Sequence, residues 1–213
     1  MDGASQEFLG GRNMKKFLAL IVAVLLVSML PSFVLAEVSG DEPLKFETPF
    51  MITNAGQGPG GKMGRLLIKQ ANTLEIDKDF YYVDVPYAKD VTELPYKAIV
   101  IVIGSTDKGL GATGITIDEE IDRVNEVMKA AKENNIPVIA VLLEKDKRSD
   151  IPTNANERCI DAVCPLSSMM VVIKDGNADG RFDKIKEEHN IPLVLIDSAM
   201  DFMNLSKEIF VKP

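Results

Sequence analysis

Two short segments of the chain are apolar at every position, namely Ala98–Ile103 (AIVIVI) and Val138–Leu143 (VIAVLL). A β-strand with no polar side chain on either face has to be covered on both faces, which is typical of the central strands of a parallel sheet. Such a sheet needs helices packed against both of its sides. These two segments therefore predict an α/β protein.

The rest of the sequence alternates between strand and helix patterns. Further strands are predicted at Pro49–Thr53, Phe80–Val85, Met169–Ile173 and Leu193–Ile196. Helices are predicted at Lys62–Leu74, from Thr116 to Asn134-Asn135, and at Asn156–Val163, Phe182–His189 and Phe202–Phe210. Strands and helices in alternation predict a doubly wound, mainly parallel sheet of about six strands with helices on both faces, as in Rossmann- and flavodoxin-like proteins.

Local signals mark the ends of the helices. Thr116 and Glu119 have the spacing of a capping box, in which each side chain satisfies a free N–H group of the first turn. Asn135-Ile136-Pro137 and Asn190-Ile191-Pro192 each join a helix end to an apolar strand. We interpret these two tripeptides as the same loop chemistry used twice.

The N-terminal region has the pattern of an export signal. Two lysines precede the apolar run Phe17–Leu30, Pro31 interrupts that run, and Val34-Leu35-Ala36 is typical of a cleavage site. We therefore expect residues 14–36 to be a signal peptide and the protein to be exported, either secreted or periplasmic in the cell envelope. The alternative is an uncleaved membrane anchor, because the apolar stretch is nearly long enough to span a bilayer.

The remaining chain is expected to form one domain. Asp2 and Glu7 are acidic where a signal peptide would begin with positive charge, so we interpret residues 1–13 as upstream sequence before the true start at Met14. After cleavage we expect no stable membrane anchor, a polar linker over residues 37–47, and a single α/β domain over residues 48–213.

The charge balance narrows the range of partners. The formal net charge is −8 at pH 7, and no long basic run overrides it. A surface of this sign repels polyphosphates, so nucleic acid is excluded as an expected partner and an anionic membrane is disfavoured. A small polar or anionic molecule is the expected partner.

Glycine and polar residues concentrate in the loops that follow the predicted strands. In doubly wound sheets, ligands bind at the carboxyl ends of the strands. The loops after the first strand and after Ile103 supply the candidate ligand-binding residues, which are Asn54, Gln57, Lys62, Ser105, Thr106, Lys108, Gly109 and Gly111. Free N–H groups at a helix N-terminus, together with Lys62, would suit a small anion.

Two nucleotide-binding motifs occur in these loops in incomplete form. Gly56, Gly61 and Lys62 match the glycine and lysine positions of a P-loop, but Met63 stands where a hydroxyl would hold Mg²⁺. The segment Gly109–Gly114 matches G-x-G-x-x-G, but it begins too late after its strand for the tight turn that a dinucleotide requires. Neither motif predicts a nucleotide cofactor.

A third loop has the oxygen-ligand spacing of a calcium site. Asp175, Asn177, Asp179 and Asp183 occupy positions 1, 3, 5 and 9 of a calcium loop, and Gly180 occupies position 6. Lys186 stands at position 12 in place of the bidentate glutamate. Calcium is thus the one cofactor that the sequence suggests, and the alternative is a polar turn that caps the next helix.

Residues for nucleophilic catalysis are sparse. His189 is the single histidine, and its predicted place at a helix C-terminus lies away from the glycine loops. Asp107, Glu144, Asp146 and Asp175 follow strands and could serve acid–base chemistry, but nothing pairs them. Cys159 and Cys164 are compatible with either a disulfide, if the chain bends near Pro165, or two buried thiols.

The same loops resemble those of a known family. Gly56-Gln57, Lys108–Gly114 (KGLGATG) and Gly176–Phe182 (GNADGRF) resemble an uncharacterised bacterial family of exported proteins with a domain of unknown function. The resemblance spans residues 47–210 and implies that the loops on one edge are shared, but it implies no activity. The segment Lys145–Asp150 departs from the family pattern because it lacks glycine.

Three functions are compatible with these features. The leading hypothesis is a domain that binds a small polar or anionic ligand at the carboxyl ends of the strands. The second is an extracytoplasmic hydrolase or transferase that uses carboxylates or a metal at the same edge. The third is an interaction module that calcium stabilises through the loop from Asp175 to Asp183.

Overall fold

A computed structural model describes residues 38–213, which form an α/β unit. The interpretations of residues 1–13 and of the signal peptide at residues 14–36 lie outside the described residues. Within residues 38–213, none of the helices has the length and apolar character needed to cross a membrane.

The described residues contain a seven-stranded sheet in the order β1-β8-β7-β6-β5-β3-β4. Its strands are β1 (Val38–Gly40), β3 (Phe50–Ala55), β4 (Phe80–Tyr82), β5 (Ala98–Ile103), β6 (Val138–Leu142), β7 (Met169–Ile173) and β8 (Leu193–Ile196). All neighbours are parallel except β1, which pairs antiparallel with β8. Two further strands, β2 (Phe46–Glu47) and β9 (Phe210–Val211), form a separate parallel pair. The predicted doubly wound, mainly parallel fold is confirmed.

Helices cover both faces of this sheet. In the described residues they are α1 (Gly60–Gln70), α2 (Asp107–Thr113), α3 (Ile117–Glu133), α4 (Ala155–Val163), α5 (Arg181–His189) and α6 (Ala199–Ile209). One core cluster packs α3, α4 and α5 on one face, and the other packs α1 and α6 on the opposite face. Every residue of β5 and β6 is buried, as strands covered on both sides must be.

The two Asn-Ile-Pro corners share one geometry. Asn135 and Asn190 both adopt the left-handed conformation, each with φ of 55°. The N–H group of Ile136 donates to Ala131, and that of Ile191 donates to Lys186, each five residues back. This is the Schellman arrangement that ends a helix with its last carbonyl groups satisfied. The interpretation of shared loop chemistry is confirmed.

The segment 37–47, predicted as a linker, carries two short strands within its described part. Val38 pairs with Ile196 at the edge of the sheet, and Phe46 is buried beside Phe210. The carboxylate of Asp41 accepts a hydrogen bond from the Leu193 N–H group. These strands could not be predicted from the sequence because they are short and mostly exposed, and because their partners lie about 150 residues away in sequence.

The glycine-rich loop predicted after β5 contains the helix α2. The Thr106 side chain accepts a hydrogen bond from the Gly109 N–H group and so begins the helix. Gly114 ends it in the left-handed conformation, with φ of 70°. Glycine is a poor helix former, so the three glycines of this segment conceal a helix whose ends are well capped.

Cys159 and Cys164 are free and buried, which resolves the two alternatives in favour of thiols. Burial raises the pKa of Cys159 to about 12 and raises the pKa of Cys164 as well. Only the thiolate is a good nucleophile. We expect the native chain to resist a thiol-specific reagent at neutral pH and to release two reactive thiols in denaturant. A denatured, unreduced chain with no reactive thiol would contradict this expectation.

Candidate functional site

The chain reverses its winding direction between β3 and β5. The helix that follows β3 packs on one face of the sheet, while α3, which follows β5, packs on the other. The helices that follow these neighbouring strands thus cover opposite faces of the sheet. We call the edge where the parallel strands β3 to β8 end the carboxyl edge, and the surface between the loops after β3 and β5 at this edge the crevice. Ligands of doubly wound proteins bind at such a switch point.

The two loops at the switch point are packed directly against each other. The Gly58 N–H group donates to the Gly104 carbonyl at 3.0 Å, and Gln57 pairs with Ser105 in an isolated β-bridge. A Cβ atom on Gly56 would lie 2.8 Å from Ser105, and one on Gly109 would lie 1.7 Å from the Gln57 carbonyl oxygen. These glycines permit close backbone approach.

Glycines at the start of α1 also serve packing. A Cβ atom on Gly60 would lie 2.8 Å from the side chain of Val102 on β5. A Cβ atom on Gly64 would lie 3.0 Å from the side chain of Ile52 on β3. Gly61, which belongs to the P-loop-like match, would place a Cβ 3.0 Å from the backbone of Thr53, so this glycine also lets α1 lie close to the sheet. Gly111 has nothing within 4 Å of its added Cβ, so its glycine identity serves no contact in the described residues.

A buried ion pair holds the first loop in place from below. Glu120 on α3 is fully buried, and its carboxylate accepts hydrogen bonds from the Gly56 N–H group and from the Gln57 side-chain amide, both at 2.7 Å. Arg123 donates to both carboxylate oxygens, at 2.9 and 2.7 Å. The same guanidinium donates to the Pro86 carbonyl at 2.7 Å, so the pair also fixes the loop after β4.

A second buried carboxylate organises the loops after β6 and β7. Glu157 on α4 is fully buried and accepts hydrogen bonds from Arg148, from the Ser149 N–H group and from Arg181. Arg148 also donates to the carboxylate of Asp179, with the closer contact at 2.7 Å. Four loops of the carboxyl edge are thus fixed by two glutamates.

The Ser105 hydroxyl lies two residues after the end of β5 and is a buried polar group at the switch point. Ser105 is 6% exposed, and its Oγ has no hydrogen-bond partner within the described residues. Its N–H group donates to the Asn156 side chain, which fixes the residue. The Oδ1 atom of buried Asn54 also lacks a partner, while its Nδ2 donates to the Asp84 carbonyl at 2.9 Å.

Three lysines, Lys62, Lys108 and Lys147, follow strands that end at the carboxyl edge. Lys62 pairs with Asp84 at 3.2 Å. Burial by itself would raise the pKa of the Asp84 carboxyl, but hydrogen bonds from Tyr82 and Lys62 outweigh it and hold that pKa below its usual value. The aliphatic part of Lys147 lies over Gly104, within 3.3 Å of where a Cβ would be. Lys108 is exposed and forms no ion pair with any residue in the range 38–213.

The predicted calcium ligands are engaged with the protein. Asp179 accepts hydrogen bonds from Arg148, which lower the pKa of its carboxyl. Asn177 accepts from the Phe182 N–H group and donates to Asp183, so it caps α5. The described residues hold no cluster of three or more metal-ligating His, Cys, Asp or Glu side chains. Calcium binding stays a prediction, which melting temperatures with calcium and with chelator would test.

No imidazole or carboxylate within the described residues forms a hydrogen bond with the Ser105 hydroxyl. His189 lies at the C-terminus of α5, at the opposite edge of the sheet. An activated serine nucleophile requires a base within hydrogen-bond reach. The candidate acid–base residues Glu144 and Asp175 lie near lysines, at 3.9 Å from Lys147 and Lys145 respectively.

The sequence matches the model of a family described as "Domain of unknown function (DUF6305)" over residues 47–210. The chain belongs to this family. The resemblance found in its loops is thereby confirmed at the level of a domain of unknown function. No curated protein matches the chain.

Two solved structures resemble the DUF6305 domain weakly. A serine-to-alanine mutant of the esterase AlinE4 has 10% sequence identity and a TM-score of 0.31, and AlinE4 itself, an SGNH-hydrolase family esterase, has 9% identity and a TM-score of 0.30. Each match covers 72% of this chain and 76% of the other. At these values the likeness carries no argument about function.

Glu120 and Glu157, which hold the loops of this DUF6305 domain, belong to no known motif, but their positions in the sequence indicate that they are buried. Glu120 lies three residues after Ile117 and four before Val124, which places a carboxylate on the predicted apolar stripe of its helix. Glu157 precedes Ile160 by three residues in the same way. A charge on the buried face of a helix predicts a paired interior group.

Proposed function

We propose that this DUF6305 domain is an extracytoplasmic binding domain that holds a small polar or anionic molecule at the switch point between β3 and β5. The observation that carries the proposal is the Ser105 hydroxyl, which is buried without a partner at the end of the central strand. A buried polar group without a partner costs stability, so its retention suits a role in binding. The location outside the cytoplasm rests on the sequence pattern of residues 14–36 alone.

The surrounding charges favour an anionic ligand. Lys108 is exposed and has no ion pair within residues 38–213, and Lys62 forms an exposed pair with Asp84. Exposed ion pairs contribute little stability, so these two lysines can be redirected to a ligand at small cost. Lys147 is more buried, and its side chain lies beside Gly104. The Gln57 amide nitrogen is held by Glu120, and Gln57 therefore shapes the crevice.

The rigidity of the edge supports binding. Glu120 and Glu157 fix the loops through charge-assisted hydrogen bonds. The loops therefore lose their conformational entropy when the protein folds and not when a ligand binds. A site that is organised before its ligand arrives loses less entropy on binding. The same fixed geometry brings no base to Ser105, and the proposal therefore assigns the hydroxyl to binding.

The variant Ser105→Ala tests the proposal because it should affect the stability of the fold and the affinity for an anion differently. In Ser105→Ala, a buried group without a partner is removed, so we expect the free energy of unfolding to stay equal or to rise by up to about 1 kcal/mol. The same variant should bind its anion about tenfold more weakly, since one hydrogen bond to a charged group contributes about 1.5 kcal/mol or more. Phosphate, sulfate, acetate and citrate, each followed by the rise in melting temperature of the full chain, are the probes.

Two lysine variants complete the experiment. Lys108→Gln should reduce the rise in melting temperature that the effective anion produces, while Lys207→Gln, an exposed lysine on α6, should leave it unchanged. A Ser105→Ala chain that loses stability would show that its hydroxyl has a structural partner. An equal anion response in the unaltered chain and both site variants, or no response to any probe, would overturn the proposal.

A further inference from the structure

A second concave site lies at the amino edge of the sheet, where β6, β7 and β8 begin, on the side opposite the switch point. It is a cavity of about 690 Å³ between the C-terminal turns of α3 and α5. Ligand pockets for small organic molecules commonly measure about 300–1,000 Å³. This volume is large enough for a molecule of ten to fifteen heavy atoms, on the order of 20–30 Å³ for each, as for liquid water.

The floor of the cavity is apolar. Met128, Val138 and Ile191 line it, and each of them is buried within the fold. Leu166 stands at its mouth and is 58% exposed, although a leucine at that position would gain by being covered. Burial of apolar surface contributes roughly 25 cal/mol per Å², so an apolar molecule in this cavity would be stabilised.

The charged side chains that line the cavity have one sign. They are Lys129 and Lys132, and among the described residues no carboxylate lines the cavity. This distribution is unexpected because the chain is acidic and α3 alone carries six carboxylates. These residues are Asp118, Glu119, Glu120, Asp122, Glu126 and Glu133.

Lysines in the last turn of a helix also complement its dipole. That role explains a positive charge near the end of α3, but it does not explain an apolar floor or an exposed leucine beside it. Lys129 lies 3.9 Å from Glu133 in an exposed pair, which leaves its ammonium group available to a ligand at small cost.

The walls of the cavity are formed in advance. The Schellman turns at Asn135 and Asn190 fix the two corners that border it, and the Ser168 N–H group donates to the Val138 carbonyl at 2.7 Å. Ser167 donates its hydroxyl proton to the Cys164 carbonyl at 2.8 Å. The backbone around the cavity is thus satisfied, and the ligand needs to supply only apolar contact and one negative charge.

We infer that this cavity binds a small amphipathic anion, meaning an apolar body of roughly medium-chain length that carries a single carboxylate. The apolar body lies on Met128, Val138 and Ile191, and the carboxylate faces Lys129 and Lys132. This site is independent of the switch point, because no residue of the crevice lines it.

Three probes with a ten-carbon chain, one anionic, one neutral and one cationic, test the inference on the full chain. Decanoate, decanol and decyltrimethylammonium are titrated by calorimetry, the two ions below their micelle concentrations and decanol below its solubility limit. We expect decanoate to bind about fivefold more tightly than decanol, since a favourable partly exposed charge contact is worth about 1 kcal/mol, and decyltrimethylammonium to bind least. Leu166→Ala should weaken both decanoate and decanol, because it removes apolar contact and leaves the charges in place.

Variants of the lysines at the rim distinguish the contribution of charge to binding from the contribution of the apolar floor. The double variant Lys129→Gln/Lys132→Gln should abolish the preference for decanoate over decanol, whereas Lys207→Gln, at a helix end that does not line the cavity, should keep it. Equal binding of the three probes, no binding of any, or decanoate binding that survives both the Leu166 and the double lysine changes would overturn the inference.

Discussion

Replacing Glu120 with alanine is expected to lower the free energy of unfolding by about 3–5 kcal/mol, the usual loss when one partner of a buried ion pair is removed. Arg123 is 6% exposed and donates to both oxygens of this carboxylate. Its charge would remain in the interior with only carbonyl acceptors. The loss would be measured by urea unfolding of the full chain, followed by circular dichroism.

Two further variants establish the cause of this loss. Glu126→Ala removes an exposed carboxylate from the same helix and should change the free energy of unfolding by no more than about 0.5 kcal/mol. Glu120→Leu/Arg123→Leu removes both charges and should be more stable than Glu120→Leu alone, since apolar residues can replace a buried pair. A loss below about 1 kcal/mol in Glu120→Ala would mean that the pair is not buried as described.

Anion binding should fail in Glu120→Ala even at temperatures where the chain remains folded. The Gly56 N–H group and the Gln57 amide would lose their acceptor, and both belong to the loop that borders Ser105. A site that depends on preorganised loops loses affinity when the support beneath them is removed. Retained anion binding in this variant would show that binding at the crevice does not depend on the ion pair.

The sheet was predictable from the sequence because its signal is local. Ala98–Ile103, Met169–Ile173 and Leu193–Ile196 have the predicted bounds in the structure. A strand covered on both faces must be apolar at every position. Runs of four to six residues that are rich in β-branched side chains favour a strand over a buried helix. The helix α3 was equally clear, because the capping box at Thr116 is present and a long amphipathic stripe follows it.

Elements that depend on distant partners were not predictable. The strand β1 is three residues long, and it exists because β8 offers an unpaired edge far along the chain. The start of the last helix is a different case, because it lies at Ala199 and not at the predicted Phe202, and the capping box of Ser198 and Asp201 that begins it is a local signal which the prediction missed. A short polar strand has no periodicity of its own, so only tertiary structure reveals it.

The sequence placed the candidate residues in neighbouring loops, and their role in binding stays a prediction. The loops with Gln57 and Ser105 do meet at the switch point, as the carboxyl ends of adjacent parallel strands must. Sequence spacing could not show that Gln57 is held by Glu120 or that Asp179 is held by Arg148, since those partners are 63 and 31 residues away. Motif spacing identifies residue types, whereas only packing identifies their partners.

The glycines of α2 show the same distinction, and they allow the second strong prediction. Gly109→Ala is expected to lower the free energy of unfolding by about 3 kcal/mol, the upper end of the usual cost of overpacking. The added Cβ would lie 1.7 Å from the Gln57 carbonyl oxygen and 2.9 Å from Thr106 Oγ1. A backbone atom cannot rotate away as a side chain can, so the two loops would have to separate.

Gly111→Ala is a matched control two residues further along the same helix. Its Cβ would meet nothing within 4 Å, and alanine is a better helix former than glycine, so the free energy of unfolding should rise by up to about 1 kcal/mol. Both variants would be measured by urea unfolding of the full chain and by the anion-dependent rise in melting temperature. Similar changes in the two variants would indicate that α2 does not pack on the Gln57 loop.

The two outcomes together determine what the glycine-rich segment contributes to function. If Gly109→Ala removes the anion response while Gly111→Ala keeps it, the segment acts by letting α2 approach the switch point, and Gly111 has no part in binding. If Gly111→Ala also removes the response without loss of stability, a ligand must lie against the exposed face of α2, where the added methyl group would meet it. The segment would then be a direct ligand contact, as the sequence first suggested.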